Sequence, residues 1–292
     1  MKILITGVSG QVGLELHHQL AGTAEVLAMD RSGMNLAKPD MVRSVIRQFQ
    51  PDLILNAAAY TAVDQAEQER ALAFAINADA PALMAEEARR IGAALIHYST
   101  DYVFDGQKEG AYVEDDAPAP LNVYGQSKLA GEQAILEQDV AALIFRTQWV
   151  YGLHGKNFLL TMLNLGKTRT ELRVVNDQHG APTWSRSIAR ATAGVIHAGS
   201  KASRHWWREK SGIYHLVAQG ETSWCGFAQR IFELSALEPR PAVVGIGCKD
   251  YPTPAPRPKN SRMSCLKFEQ TFFPLPTWDT ALAECMRSAA AR

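Results

Sequence analysis

The sequence predicts an α/β fold: a doubly wound parallel sheet followed by a smaller C-terminal domain. Three observations predict it. Short apolar runs alternate with helix-period segments through the first half of the chain, the signature of βαβ units. The runs lack polar alternation, as strands do when both faces of their sheet are covered. The first run passes directly into the glycine-rich turn Gly7-Val8-Ser9-Gly10-Gln11-Val12-Gly13, which opens the first helical segment. Strand, glycine turn and helix in that order read as a Rossmann-type unit.

The elements follow in turn. Lys2 to Thr6 reads as a buried strand and Gln11 to Leu20 as a helix. Glu25 to Met29 is a second strand, and Pro39 introduces a helix over Asp40 to Phe49. Leu53 to Asn56 is a third strand. Ala66 to Ile91 carries one or two helices, with Pro81 expected to mark a break. Ala94 to Ser99 is a fourth strand, Tyr124 to Gln138 a helix and Ala142 to Thr147 a further strand. This first domain spans residues 1–152, and later segments near 183–217 are expected to return to it. Residues 153–292 form mainly the second domain. There, Asn157 to Gly166, Ser185 to His197 and Trp224 to Leu237 read as helices, and Ile213 to Val217 as a strand. Tyr251 to Pro258 holds four prolines in eight residues and reads as extended loop.

Composition narrows the function classes. The 292 residues carry 30 Lys+Arg against 30 Asp+Glu, so the electrostatic footprint of a nucleic-acid binder is missing and none is expected as a partner. No apolar run approaches 18 residues, so no membrane association is expected. The start, Met1-Lys2-Ile3-Leu4-Ile5, lacks the features of a signal peptide. Cys225, Cys248, Cys265 and Cys285 form no CxxC pair and read as reduced thiols of a cytoplasmic protein. No histidine pair has metal-ligand spacing and no GxSxG elbow occurs, so neither a metal site nor a hydrolase is expected.

The glycine turn suits a pyrophosphate, which a helix N-terminus receives with its N–H groups and positive partial charge. Gly7, Gly10, Gln11 and Val12 are the candidate contacts. An acidic residue about 20 positions on binds the adenine ribose in such folds, and Asp30 stands there. Asp30 favours NADH, whereas Arg31 beside it could pair the 2′-phosphate of NADPH. The nicotinamide cofactor is therefore NADPH or NADH.

Tyr124 and Lys128 are spaced i, i+4 and share a helix face. A lysine ammonium near the phenol would stabilise phenolate and draw the tyrosine pKa towards the working pH. Ser99-Thr100-Asp101 ends the fourth strand, where the ligand crevice opens. A hydroxyl there can hold a carbonyl oxygen. Thr100, Tyr124 and Lys128, in that order after a dinucleotide loop, resemble the short-chain dehydrogenase/reductase superfamily.

Longer blocks sharpen the resemblance. They are Asn56 to Asp64, His97 to Phe104, Pro120 to Gly125, Phe145-Arg146-Thr147 with Trp149-Val150-Tyr151, Val175 to Gln178 with Gly180 to Thr183, and Tyr251 to Ala255 with Arg257-Pro258 and Asn260-Ser261-Arg262. Together they resemble the dTDP-4-dehydrorhamnose reductase family over nearly the whole chain. The resemblance implies reduction of the C4 ketone of a nucleotide-activated keto-sugar, with Tyr124 as proton donor. It implies that Asn35 and Leu36 flank the adenine, and that Ala59, Tyr60, Thr61, Tyr98, Tyr124 and Lys128 join the glycine turn around the cofactor. Val63, Thr100, Asp101, Tyr102 and Trp149 would face the sugar, with Trp149 packing its ring on the deoxysugar. Some members hold magnesium between subunits. Glu15 matches one such position, but its acidic partners are not found here. A homodimer is compatible with the sequence, which does not fix an oligomeric state.

Two other readings stay open. One is a dehydratase or epimerase of the same fold. Dehydratases carry Thr-Asp-Glu after the fourth strand, and here the run is Thr100-Asp101-Tyr102, with a phenol in place of the carboxylate base. The other is a non-catalytic nucleotide-binding regulatory subunit, against which both Tyr124 and Lys128 are present. The cluster Arg204-His205-Trp206-Trp207-Arg208 reads as a solvated loop with one Trp folded inward.

Overall fold

A six-stranded, all-parallel sheet forms the centre of the computed structural model, which describes residues 1–202 and 205–290. The chain opens with β1 (Lys2–Thr6), α1 (Gln11–Leu20), β2 (Glu25–Met29), α2 (Pro39–Phe49) and β3 (Leu53–Asn56). Two short helices, α3 (Val63–Ala66) and α4 (Arg70–Phe74), run through a π-helical turn at Ala75–Asp79 into α5 (Ala80–Ile91). Then come β4 (Ala94–Thr100), α6 (Val123–Leu136), β5 (Ala142–Thr147), β6 (Val150–Tyr151), α7 (Phe158–Leu165), β7 (Glu171–Val175), β8 (His179–Gly180) and β9 (Thr183–Trp184). The remainder is α8 (Ser185–Lys201), α9 (Trp206–Glu209), β10 (Gly212–His215), β11 (Thr222–Ser223), α10 (Trp224–Leu234), β12 (Ala242–Ile246), α11 (Leu266–Thr271) and α12 (Trp278–Ala290).

The main sheet runs β10-β5-β4-β3-β1-β2, a Rossmann-type doubly wound order. The chain steps outward from β1 to β2, then crosses back to β3. The direction of winding therefore reverses between β1 and β3, and the crevice outside their carboxyl ends is the ligand position of such sheets. Gly7 makes this junction. It has φ +71°, and a Cβ on it would lie 2.7 Å from the Cα of Ala58, just past β3.

Alternate residues of each strand feed opposite layers. Ile3, Ile5, Leu55, Ile96 and Phe145 pack against Leu16 of α1 and Ile188 and Val195 of α8. Leu4, Ile54, Leu95 and Ile144 pack against Val42 and Ile46 of α2 and Met84 of α5. Each such side chain is fully buried and contributes roughly 1.5–3 kcal/mol relative to exposure. A third core gathers Leu159, Leu172, Val174, Trp184, Phe227, Ile231 and Leu282 around the parallel pair β7–β12.

Several elements differ from the sequence reading. Pro81 breaks nothing: it sits in the first turn of α5, where a missing N–H is tolerated, and the π-helical turn before it carries the irregularity. The pair β7–β12 and the helices α11 and α12 are not legible as elements in the sequence. Phe268 and Leu275 return the chain to the first core layer a second time, beyond the segment containing β10. The basic and aromatic cluster is the short helix α9 rather than a loop. Its two Trp side chains are half-buried and meet edge to face, centroids 5.0 Å apart. Arg204 lies outside the described residues.

Candidate active site

The phosphate loop is built by close approach. A Cβ on Gly13 would lie 2.2 Å from the Gly7 carbonyl oxygen, so glycine there lets α1 start directly above the turn. No side chain caps α1 at Gly10, so its first-turn N–H groups and positive end are presented at the crevice. These features fit a pyrophosphate. The Gln11 amide is otherwise engaged: it donates to the Val150 carbonyl at 3.3 Å and accepts from Asn157 at 3.0 Å. Val12 packs on the first core layer. Both therefore offer backbone rather than side chain to a ligand.

Asp30 follows β2, where an adenine ribose would lie. Its Oδ1 accepts from Ser32 Oγ at 2.6 Å, Ser32 N at 2.9 Å and Gly33 N at 3.0 Å. Those bonds, the Ser32 hydroxyl first, hold the carboxyl below its usual range. Arg31 stands exposed beside it. Asn35 accepts from Ala37 N at 3.0 Å, and Leu36 is buried in the second core layer. Ala59, Tyr60 and Thr61 form the loop after β3. Asn77, from the π-helical turn, grips the Tyr60 backbone on both sides, at 2.8 Å to N and 3.0 Å to O. Val63 begins α3, half-buried.

Thr100, Asp101, Tyr102 and Tyr124 converge at the carboxyl end of β4. The Asn122 side chain caps α6 by accepting from Gly125 N at 2.8 Å. Gly125 has only 2.2 Å between a built Cβ and the Tyr102 carbonyl oxygen, so any other residue would push α6 away. The Tyr102 and Tyr124 rings consequently meet edge to face at 5.4 Å. The Thr100 hydroxyl accepts from Tyr102 N at 3.2 Å, donates its proton to Asp101 Oδ1 at 3.1 Å and lies beside the Tyr124 phenol. Ser261, from the far end of the chain, donates to Asp101 Oδ2 at 2.6 Å. Burial raises Asp101 to about 6, opposed by the Ser261 and Thr100 bonds. Burial also raises Tyr124 to about 12, while the Thr100 hydroxyl pulls it down.

Lys128 departs from the sequence reading. The Tyr124 phenol, expected to be drawn down, is instead raised, chiefly by burial. Lys128 itself is buried, donates to the Tyr98 carbonyl at 2.6 Å and meets His97 Nε2 at 3.2 Å. Burial lowers its pKa to about 8, and Glu132 acts the other way. Tyr98 likewise gives the site its carbonyl rather than its ring, because its phenol is buried against Thr192 Oγ1 at 2.7 Å.

Trp149 is half-buried just past β5, in a left-handed backbone conformation with φ +46°. Such a conformation costs on the order of 1–3 kcal/mol and clusters at functional sites. Glu15, 2% exposed, is paired to Arg186 of α8 at 3.0 Å, so its carboxylate already has a cation. Among the described residues no acidic or histidine cluster could hold a metal.

Several contributors carry no sequence signal as isolated residues. Arg257 binds Asp64 with both nitrogens, at 2.6 and 2.8 Å, and pins the proline-rich loop beside Tyr102. Asn77 and Ser261 reach the site from distant segments. Gln148 is buried with both amide atoms unpartnered among the described residues. Only His97, a histidine within an apolar strand, stands out on inspection of the sequence.

Comparison with known proteins follows this geometry. The family described as the RmlD substrate binding domain matches residues 1–291. A dTDP-4-dehydrorhamnose reductase of Burkholderia thailandensis is 44% identical over 294 residues, covering 98% of both chains. One of Escherichia coli K12 is 44% identical over 291 residues, covering 97% of this chain and 96% of its own. The crystal structure of a dTDP-4-dehydrorhamnose reductase from Bacillus anthracis in complex with NADP superposes with a TM-score of 0.91. It is 35% identical and the match covers 98% of this chain and 99% of that one.

Proposed function

The chain belongs to the RmlD substrate binding domain family, and from that premise we propose that it is an oxidoreductase that reduces the C4 ketone of dTDP-4-dehydro-β-L-rhamnose to dTDP-L-rhamnose with NADPH or NADH. One observation carries the reading: Thr100 and Tyr124 come together at the carboxyl end of β4, the Tyr124 ring held edge to face by Tyr102, in the same chain as a glycine cradle shaped for a dinucleotide. Reductases of this name that are 44% identical over almost the full length support the substrate assignment.

Gly7, Gly10 and the first-turn N–H groups of Gln11 and Val12 would hold the pyrophosphate, with Asp30 or Arg31 at the adenine ribose and the Tyr60 loop along the dinucleotide. A nicotinamide bound there would supply hydride to the carbonyl carbon. Tyr124 donates to the carbonyl oxygen and gives it a proton, and Thr100 joins it there when its hydroxyl turns from Asp101 to that oxygen. A phenol held near 12 stays protonated until that demand arises. Asp101 orients Thr100, and Ser261 orients Asp101. Trp149 closes the sugar side. A cytoplasmic location belongs to the same proposal; among the described residues no helix is long and apolar enough to cross a membrane.

The dehydratase reading loses support at Tyr102. Burial, and then the neighbouring Asp101, push its phenol above the ordinary tyrosine range, which leaves it unable to take a proton from carbon at neutral pH. The test is incubation with dTDP-4-dehydro-β-L-rhamnose and NADPH. Stoichiometric loss of reduced-nicotinamide absorbance and a product two hydrogens heavier are expected. Loss of water from dTDP-glucose with no net cofactor consumption would restore the dehydratase.

A further inference from the structure

A line of buried polar side chains runs beneath the carboxyl edge of the sheet and ends on Lys128. Thr6 closes β1, Asn56 closes β3 and His97 lies in β4; they are neighbours across the sheet, register partners in the order Thr6, Asn56, His97. All three, and Lys128, are at most 2% exposed. Ala58 N donates to Thr6 Oγ1 at 3.3 Å. Thr6 Oγ1 and Asn56 Oδ1 are 2.8 Å apart, Asn56 Nδ2 and His97 Nδ1 3.0 Å, and His97 Nε2 and Lys128 Nζ 3.2 Å.

Donors and acceptors must alternate along such a line. A neutral imidazole has one N–H and one acceptor nitrogen, and an amide has one end of each kind. An ammonium has only donors, so Nε2 facing a charged Lys128 must be the acceptor. The imidazole proton then sits on Nδ1 and must meet an acceptor on Asn56. A half-turn of the Asn56 amide, which leaves its shape unchanged, presents Oδ1 to His97 and Nδ2 to Thr6. Thr6 Oγ1, which otherwise donates to Asn56 Oδ1, then accepts both from that Nδ2 and from Ala58 N, and its own O–H turns away from Asn56. The opposite polarity, with Asn56 Nδ2 donating to Nδ1, aims an N–H of His97 at Nζ and repels an ammonium.

Among the described residues, Nζ meets no hydrogen-bond acceptor besides His97 Nε2 and the Tyr98 carbonyl. Glu132, one turn further along α6, is consumed in a buried pair with Arg146 of β5 at 2.6 Å. The Tyr98 phenol is turned to Thr192. Asp101 is bound to Thr100 and Ser261, and the Tyr124 phenol lies beside Thr100.

We propose that His97 is a positioning residue for Lys128: as a neutral Nδ1–H tautomer anchored by Asn56 and Thr6, it accepts one N–H of the ammonium while the Tyr98 carbonyl accepts a second, leaving the third for the crevice. The inference rests on the reading of Lys128 as part of a reductase site. Burial supports it by holding the imidazole well below its usual range, hence neutral. The same line ties the lysine to the first residue before Gly7, so the catalytic helix and the phosphate loop share one hydrogen-bonded support.

The experiment has two arms. In the first, ¹⁵N NMR of the whole protein without added cofactor reads the His97 tautomer at neutral pH. Protonated Nδ1 and unprotonated Nε2 are expected; a proton on Nε2, or an imidazolium, overturns the proposal. In the second, His97→Leu and His97→Gln are assayed for reductase activity across pH. Leu removes the acceptor and should lower kcat about ten- to hundredfold, the usual worth of a hydrogen bond to a charged group. It should also move the alkaline limb of kcat/KM to lower pH, because the ammonium loses support, with KM for the nucleotide sugar within about twofold. Gln returns an amide oxygen and should restore kcat to within about threefold of the parent. Equal impairment of both variants with an unmoved pH profile marks a merely structural role and overturns the proposal. If His97→Leu does not fold, the tautomer decides. Absence of reductase activity in the parent protein would sink the functional reading while leaving the tautomer result to stand or fall alone.

Discussion

The indole of Trp149 lies flat on that of Trp224, ring centroids 3.7 Å apart and planes 13° from parallel. Trp224 is backed in turn by Phe158 at 4.7 Å. One face of Trp149 is therefore covered by protein, so the expectation that this ring packs on a deoxysugar can be met only by its other face or its edge. Trp224→Ala removes the support and should raise KM for the nucleotide sugar several-fold, since an aromatic pair contributes about 0.5–1.5 kcal/mol beyond its buried area. Trp149→Ala should do the same with little loss of stability, because Trp149 belongs to none of the three core layers. Thermal melting beside the kinetics separates the cases: a Trp149→Ala protein that unfolds marks a core residue instead.

Tyr124→Phe keeps the ring and its edge contact with Tyr102 but removes the acid. A fall in kcat of about 10²–10⁴ is expected, the usual contribution of a positioned proton donor. KM should stay close to that of the parent. Near-normal turnover would remove Tyr124 from the chemistry.

Asp101 makes a prediction about pH. Its carboxyl is raised from 3.8 to about 6 in the fold, so folding favours the neutral form. The stability this confers is complete below about pH 4 and is lost as pH rises through about 6. Asp101→Asn stays neutral throughout. The stability of the variant relative to the parent should therefore grow between pH 4 and pH 7, by up to about 3 kcal/mol for two pKa units. Asp64, Glu87 and Asp116 are lowered by their cationic partners and act in the opposite sense, but they cancel in the difference. Urea titrations at the two pH values measure it, and a constant difference would contradict the assignment.

Glu15 and Arg186 are 171 residues apart and join α1 to α8. Arg186→Met strands a carboxylate that is 2% exposed, which should cost about 3–5 kcal/mol. The double variant with Glu15→Gln should recover most of the loss. Independent, additive effects in that double-mutant cycle would show that the pair is not coupled.

Asp30 distinguishes the two nicotinamides. Asp30→Ala removes an acceptor for a ribose hydroxyl and also a negative charge near any 2′-phosphate. NADH binding should weaken more than NADPH binding in a calorimetric titration. Equal losses would place Asp30 away from the ribose.

The sheet was legible because its signals are local: a glycine turn, an acidic residue at the end of the next strand, and apolar runs of strand length. Tyr124 and Lys128 were legible for the same reason, being one helical turn apart. What sequence reasoning could not supply is the environment of Lys128, because its partners His97 and Tyr98 come from another strand and face it only after the sheet assembles. Nor does a one-turn spacing reveal that burial raises the Tyr124 phenol rather than lowering it. Strand β12 hides for a related reason: three of its five residues lie on or near the surface and its one pairing partner, β7, is far off in the chain. Asp64 and Arg257, or Asp101 and Ser261, are pairs that no spacing rule connects.

The edge position of β10 has a consequence for biosynthesis. β5 is complete at Thr147, yet its outer neighbour begins only at Gly212. At a translation rate of about 5–20 residues per second, the intervening stretch takes roughly 3–13 s to emerge. For that interval the ribosome-bound chain carries β5 as a bare, apolar edge strand, a template for pairing with other chains. Nascent chains arrested shortly before residue 212 should therefore recruit holdase chaperones more strongly than chains arrested well past residue 216, once β10 has zipped onto the sheet.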